Sequence, residues 1–139
     1  MDILRDLLLN YYFLSFIIAW IISVVIKSGL NGFSIKEGFK NGGMPSSHSC
    51  AVSAITFAIL ATEDFSPLFF VSVVFSAIII SDAFRLRRVV GMQGDSLNML
   101  LRKIKAKPLE VVYGHTFTQV ILGIVLGVVV SLTMYLIMF

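Results

Sequence analysis

The sequence predicts an all-α integral membrane protein, a four-helix bundle with an amphipathic cytoplasmic interfacial helix between spans three and four. Of the 139 residues, 58% are hydrophobic and only 14% are charged. A soluble domain is about 45–50% apolar and about 25% charged. The mean hydropathy is +0.94. The apolar residues also collect into four runs that approach the length needed to cross a bilayer. These features therefore predict a single membrane domain over residues 1–139.

Each predicted span is bounded by polar or turn-forming residues. The spans cover about 7–26, 45–62, 67–83 and 116–139. In the second span, hydroxyl side chains recur at steps of three and four, which indicates one stripe facing other helices; they are Ser46, Ser49, Ser53 and Thr56. Between spans three and four, apolar residues follow the i, i+3, i+4, i+7 pattern of an interfacial helix; they are Leu97, Leu100, Leu101 and Ile104.

Basic residues predict the orientation in the membrane. Of the 11 Lys and Arg residues, only Arg5 lies outside the two long loops. Cytoplasmic loops carry an excess of Lys and Arg, so both long loops are expected in the cytoplasm and both termini outside. The net charge of +3 is no nucleic-acid signal, and no nucleic-acid partner is expected.

The stretch Gly42-Gly43-Met44-Pro45-Ser46-Ser47-His48-Ser49 carries the chemistry. Glycines allow the backbone to approach a ligand closely, and Pro45 suits the first turn of a helix. The N-terminus of a helix attracts phosphate. The two histidines, His48 and His115, open spans two and four at the same membrane face. A lone interfacial histidine is often only a hydrogen-bonding residue, but this pair predicts a joint site.

These residues resemble a known superfamily, that of the type 2 phosphatidic acid phosphatases and vanadium haloperoxidases. Pro45-Ser46-Ser47-His48 resembles its Pro-Ser-Gly-His signature. The segment from His115 to Gly123 resembles its later signature, in which an acid follows the histidine by four residues. The match is closest to a short divergent branch with Gly-Gly-Met-Pro-Ser-Ser-His-Ser, Asp-Ala-x-x-x-Arg-Arg and Gly-His-Thr, here residues 42–49, 82–88 and 114–116.

The resemblance implies a role for each matching residue. His115 would attack phosphorus and form a phosphohistidine, and His48 would protonate the leaving oxygen and later activate water. The phosphate-binding candidates are Gly43, Ser46, Ser47, Lys40, Arg87 and Arg88, with Lys36 and Arg85 as further basic candidates. Contact with anionic lipid headgroups is the alternative role for the loop lysines. The implied mechanism needs no metal or other cofactor, and the sequence has no cluster at metal-ligand spacing.

Gln119 departs from the superfamily, which has an acid at this position. The Gln119 carbonyl can still accept the imidazole N–H of His115, but it adds no negative charge. Replacing the aspartate of a serine protease triad by an amide lowers the rate about 10⁴-fold. The departure therefore predicts a slow enzyme or a binding protein. The superfamily's Lys followed by Arg-Pro is also missing, and its Ser-Arg pair falls on Pro108 and Leu109.

These patterns predict a metal-independent membrane lipid phosphatase that acts on a phosphate monoester or diphosphate of a lipid. The alternatives are a weakened protein that binds phosphate or lipid headgroups, and a component of a lipid transporter. The expected partners are the bilayer and a lipid phosphate substrate. Gly123 and Gly127 form a small-residue seam that suits either packing within the bundle or a homo-oligomer.

Overall fold

A computed structural model describes residues 9–30, 32 and 43–139, and every regular element in that part of the chain is helical. The elements are α1 (Tyr11–Leu30), α2 (Ser47–Glu63), α3 (Pro67–Ser81), a π-helical turn (Asp82–Leu86), α4 (Arg87–Lys103) and α5 (Phe117–Met138). The predicted start of the first span, about residue 7, lies outside the described residues. The second helix begins at Ser47 rather than Pro45, because Ser46 is its N-cap and its Oγ accepts from Ser49 N.

α3, the π-helical turn and α4 form one continuous helix. The sequence predicted a span over 67–83 followed by a separate interfacial helix. The structure keeps the helix unbroken to Lys103, because the wide turn closes with a bond from Arg87 N to Asp82 O. The helix ends where Lys105 adopts a φ of 55°. Bonds from Lys105 N to Arg102 O and from Ala106 N to Leu101 O complete this end.

The chain is an integral membrane protein. In the described residues, three helices are long and apolar enough to cross a membrane: Tyr11–Leu30, Pro67–Lys103 and Phe117–Met138. α2 has 17 residues and is not one of them, so a fourth crossing and the interfacial position of α4 remain predictions. On α3 only Ser76 is buried, while Phe70, Phe75 and Ile78 are exposed. Apolar residues outside and small polar residues inside suit a lipid environment.

α2 is the centre of the bundle and contacts α1, α3 and α5. Its buried residues are small, namely Ser47, Ser49, Cys50, Ala51, Ser53, Ala54 and Ala58, with Ile59 the one larger residue. Thr56, lower on the predicted hydroxyl stripe, bonds to Ser76 Oγ of α3 at 2.8 Å. The stripe therefore lies among helices, as its spacing predicted.

The two glycines of α5 bring its backbone against α2. A Cβ on Gly123 would lie 2.5 Å from Ser46 O, and one on Gly127 would lie 2.2 Å from Cys50 O. Neither position has room for a larger side chain, so the seam packs within this chain. Whether it also forms a homo-oligomer stays a prediction. The contact fixes the depth of α5 and thereby the position of His115, two residues before this helix.

Candidate functional site

The segment that carries His115 returns along α4 to the bundle. The Asn98 side chain holds both the N–H and the carbonyl of Leu109, at 2.7 and 2.9 Å. Gly94 then faces the Val111 side chain, and Gly91 faces the Tyr113 ring. Because glycine has no Cβ, the returning segment can lie directly on this face of α4. The returning segment therefore reaches the π-helical turn.

Gly114 and His115 dock on that turn through backbone contacts. His115 N donates to Ala83 O at 3.0 Å. A Cβ on Gly114 would lie 2.7 Å from the same oxygen and 2.9 Å from Arg88 N. Only glycine fits at position 114, so the Gly-His-Thr motif has a packing reason for its first residue. π-helical turns are frequent at functional sites, and this one anchors His115.

The His115 imidazole is oriented by a backbone carbonyl. The side chain is 3% exposed, and Nδ1 lies 3.0 Å from Gly43 O. A carbonyl oxygen only accepts, so Nδ1 must carry the proton and donate. In the neutral ring, the lone pair is then on Nε2. This is the tautomer that a nucleophilic imidazole requires.

Gln119 has a capping role in addition to the predicted one at His115. Its Oε1 accepts from Thr116 N at 2.9 Å, and Thr116 Oγ1 accepts from Gln119 N at 3.4 Å. Together these bonds form a capping box at the start of α5. The Gln119 side chain also hydrogen-bonds to His115. The Gln119 amide therefore caps the start of α5 and interacts with the His115 imidazole, while Gly43 O accepts from His115 Nδ1.

Lys27 is the residue that sequence reasoning missed. It lies in the last turn of α1, is 4% exposed, and its Cε would be 3.0 Å from a Cβ on Gly43. From the sequence alone, Lys27 was counted only as a basic residue of the loop between spans one and two. A signal was present, because the buried face of α1 repeats every four residues from Tyr11 through Ser15, Ala19 and Ser23 to Lys27. A buried lysine at the end of such a face is rare unless it is functional or paired.

The pKa of His115 is below its ordinary value of 6.5. Burial is the largest cause, because it disfavours the charged ring, and the positive charge of Lys27 acts in the same direction. Hydrogen bonds with Gly43 and Gln119 act in the opposite direction, and the neighbouring His48 lowers the pKa further. The imidazole is therefore neutral at neutral pH.

His48 lies at the same mouth of the bundle, in the first turn of α2 and on its exposed side. The charges of Arg87, Lys27 and Asp82 are close enough to act on its imidazole, and His48 in turn acts on His115. Arg87 Nε donates to Asp82 Oδ2 at 3.1 Å. His48 of α2 is thus within electrostatic range of Lys27 of α1 and Arg87 of α4. It is also within electrostatic range of His115, which precedes α5.

The other predicted phosphate-binding residues are placed differently. The Ser46 hydroxyl is fully buried and accepts from Ser49 Oγ at 2.9 Å. Ser47 is buried, and its Oγ has no hydrogen-bond partner. Arg88 is exposed, with its backbone against Gly114. Lys36 and Lys40 lie outside the described residues. Within residues 9–30, 32 and 43–139, no group of three or more His, Cys, Asp or Glu residues could hold a metal ion.

Comparison with known proteins identifies the family of this chain. The model of the Divergent PAP2 family matches residues 5–130. The chain is also 31% identical over 153 aligned positions to the uncharacterized membrane protein YuiD of Bacillus subtilis (strain 168), an alignment covering 93% of this chain and 96% of that protein. No solved structure matches the chain. With the signature segments and this match over most of its length, the chain belongs to the Divergent PAP2 family.

Proposed function

We propose that this protein is a metal-independent membrane lipid phosphatase that hydrolyses a phosphate monoester or diphosphate of a lipid through a phosphohistidine on His115. One observation carries the proposal: Gly43 O holds His115 Nδ1 at 3.0 Å, while His48 and Lys27 lie beside the same imidazole. A nucleophile in its reactive tautomer, a second titratable group and a buried cation are the parts that phosphoryl transfer needs.

In the first step, His115 Nε2 attacks phosphorus and the bond from phosphorus to the leaving oxygen breaks. His48 donates its proton to that oxygen, so the lipid leaves as an alcohol or a monophosphate. Gly43 O keeps its bond to Nδ1–H, and the imidazole becomes cationic as the P–N bond forms. Lys27 and Arg87 offset negative charge on the phosphoryl oxygens, the electrostatic contribution that dominates such reactions.

In the second step, water replaces His115 on phosphorus. His48, now neutral, accepts a proton from the water as the new P–O bond forms and the P–N bond breaks. Inorganic phosphate leaves, and both histidines return to their starting states. The positive-inside pattern of the loops supports a site at the cytoplasmic face, and the membrane location favours a lipid substrate.

The test is phosphate release by the full chain in detergent, from a panel containing a phosphatidate, a phosphatidylglycerophosphate and a polyprenyl diphosphate. We expect release in the presence of EDTA, inhibition by vanadate, and loss of release in His115→Ala. Tyr12→Phe is a matched control, because Tyr12 bonds to Thr62 and Glu63 at the opposite end of the bundle. Equal release by His115→Ala and the unmodified chain would exclude the mechanism.

A second function is favoured by one observation: among the described residues, the His115 imidazole contacts a backbone carbonyl and an amide rather than a carboxylate. Gly43 O and the Gln119 amide carry no net charge, so they stabilise imidazolium less than an acid does. A protein with this site could bind a phosphate headgroup without turnover. Saturable vanadate binding that requires Lys27, together with no phosphate release from any substrate, would favour this function over the phosphatase.

A further inference from the structure

An apolar groove begins beside the site and is lined by residues of α1, α5 and the loop that joins α1 to α2. Its cavity is about 340 Å³, and all eight lining residues are apolar: Ile26, Leu30, Met44, Pro45, Leu122, Val125, Leu126 and Val129. None of them has a role in the proposed chemistry.

The groove adjoins the site through residues that are consecutive in the chain. Gly43 touches His115 and Lys27, and the next residue, Met44, lines the groove. Ile26 likewise lines the groove and precedes Lys27. The junction of Gly43 and Met44 thus has a carbonyl and the buried Lys27 of α1 on one side and apolar side chains on the other.

The direction of the groove matches that of a membrane lipid. α5 starts at the site, and its lining residues run from Leu122 to Val129, away from His115. Seven residues at a rise of 1.5 Å make this length about 10 Å. Val125 is 53% exposed and Val129 is 52% exposed, so the groove is open sideways to the bilayer. A lipid could enter from the side, with its phosphate remaining at the mouth of the bundle.

We infer that this groove holds the hydrocarbon chain of the lipid phosphate whose headgroup occupies the histidine site. The inference rests on the proposed function for the position of the phosphate. It adds that the substrate is recognised by its chain as well as by its phosphate. The buried Lys27, at the end of the groove next to His115, selects an anionic headgroup. Because every residue that lines the groove is apolar, the polar part of a soluble phosphate such as a sugar phosphate would be unfavourable there.

The bilayer itself could fill any apolar surface, because lipid tails are as apolar as the lining residues. The chain-binding role therefore requires that binding of the hydrocarbon chain in the groove depends on the phosphate group of the same lipid. A matched pair of substitutions tests this. Val125→Trp fills the groove, whereas Val74→Trp makes the same change on α3, where Val74 is 58% exposed.

In detergent, we expect Val125→Trp to lower kcat/KM for hexadecyl phosphate at least about tenfold. This is the size of effect expected when an inserted side chain occupies the space that the hydrocarbon chain needs. Turnover of phenyl phosphate, which has no chain, should change less than about twofold, as for a surface substitution. Val74→Trp should leave both substrates unchanged. An equal loss for both substrates in Val125→Trp, or no loss for either, would overturn the chain-binding role.

Photolabelling separates this inference from the phosphatase itself, because it needs no turnover. Hexadecyl phosphate with a diazirine in its chain should label residues 122–129 of the unmodified protein more than α3, and Lys27→Met should remove this excess. The corresponding diazirine alcohol should show no such dependence on Lys27. Groove labelling without phosphate release would exclude the phosphatase and keep the chain site. Phosphate release with equal labelling of α3 and α5 would exclude the chain site.

Discussion

Lys27→Met tests whether the buried cation acts on the phosphate. Methionine keeps most of the length and the apolar stem of lysine, and it removes the ammonium group with its charge and its N–H donors. Lys27 lies against Gly43, whose carbonyl lies 3.0 Å from His115 Nδ1, and its positive charge acts on the His115 imidazole. The substitution therefore changes the electrostatics of the site more than its packing.

The magnitude follows from Coulomb's law. Two unit charges about 4–6 Å apart at an effective dielectric constant of about 20 attract by about 3–4 kcal/mol. Lys27 is 4% exposed, so solvent screens this attraction little. We expect kcat/KM for a lipid phosphate to fall about 10²- to 10³-fold, which is also the usual loss for one donor of an oxyanion hole.

The assay is steady-state phosphate release at several pH values. Removing the charge of Lys27 should also raise the pKa of His115, so the acid limb of kcat/KM should move to higher pH in Lys27→Met. A purely structural role would not move this limb. Lys103→Met, on the exposed last turn of α4, is the control and should change kcat/KM less than about twofold. A folded Lys27→Met protein with unchanged kcat/KM and pH profile would refute the role of Lys27.

Three further predictions concern the same site and its support. Because burial holds the pKa of His115 below 6.5, kcat/KM of the unmodified protein should fall with acid only below about pH 6.5; a midpoint above pH 7 would contradict this environment. Gly127→Ala places a Cβ 2.2 Å from Cys50 O and should destabilise the fold by about 1–3 kcal/mol; an unchanged melting temperature would contradict the tight seam. Gln119→Glu should keep the capping box and raise the pKa of His115, moving the acid limb to higher pH; an unchanged limb would show that position 119 does not act on the imidazole.

The helical architecture could be predicted because a bilayer imposes simple rules. Runs of apolar residues must become helices there, since backbone groups cannot bond to water. Small residues at steps of four, as in Gly123 and Gly127, indicate a close helix contact. The continuous helix through the Asp82–Leu86 turn could not be predicted, because charged residues in the sequence suggested a loop, and a π-helical turn has no clear signature.

The candidate site could be predicted only in part. The two histidines are unique in the chain and mark the mouths of two helices, so their position was visible in the sequence. The capping role of Gln119 was also visible, since Thr116-x-x-Gln119 has the capping-box pattern. The orientation of His115 was not, because a backbone carbonyl such as Gly43 O can belong to any residue. Lys27 was counted among the loop charges, although it falls on the four-residue repeat of the buried face of α1.

The central claim is that phosphorus bonds to His115 during turnover. The most direct measurement is rapid acid-free quenching of the full chain with ³²P-labelled lipid phosphate, followed by mapping of the labelled peptide. We expect an acid-labile phosphoryl group on His115, present in the unmodified protein and absent from His115→Ala. Turnover with the label on another residue, or with no labelled protein at any time, would contradict the mechanism.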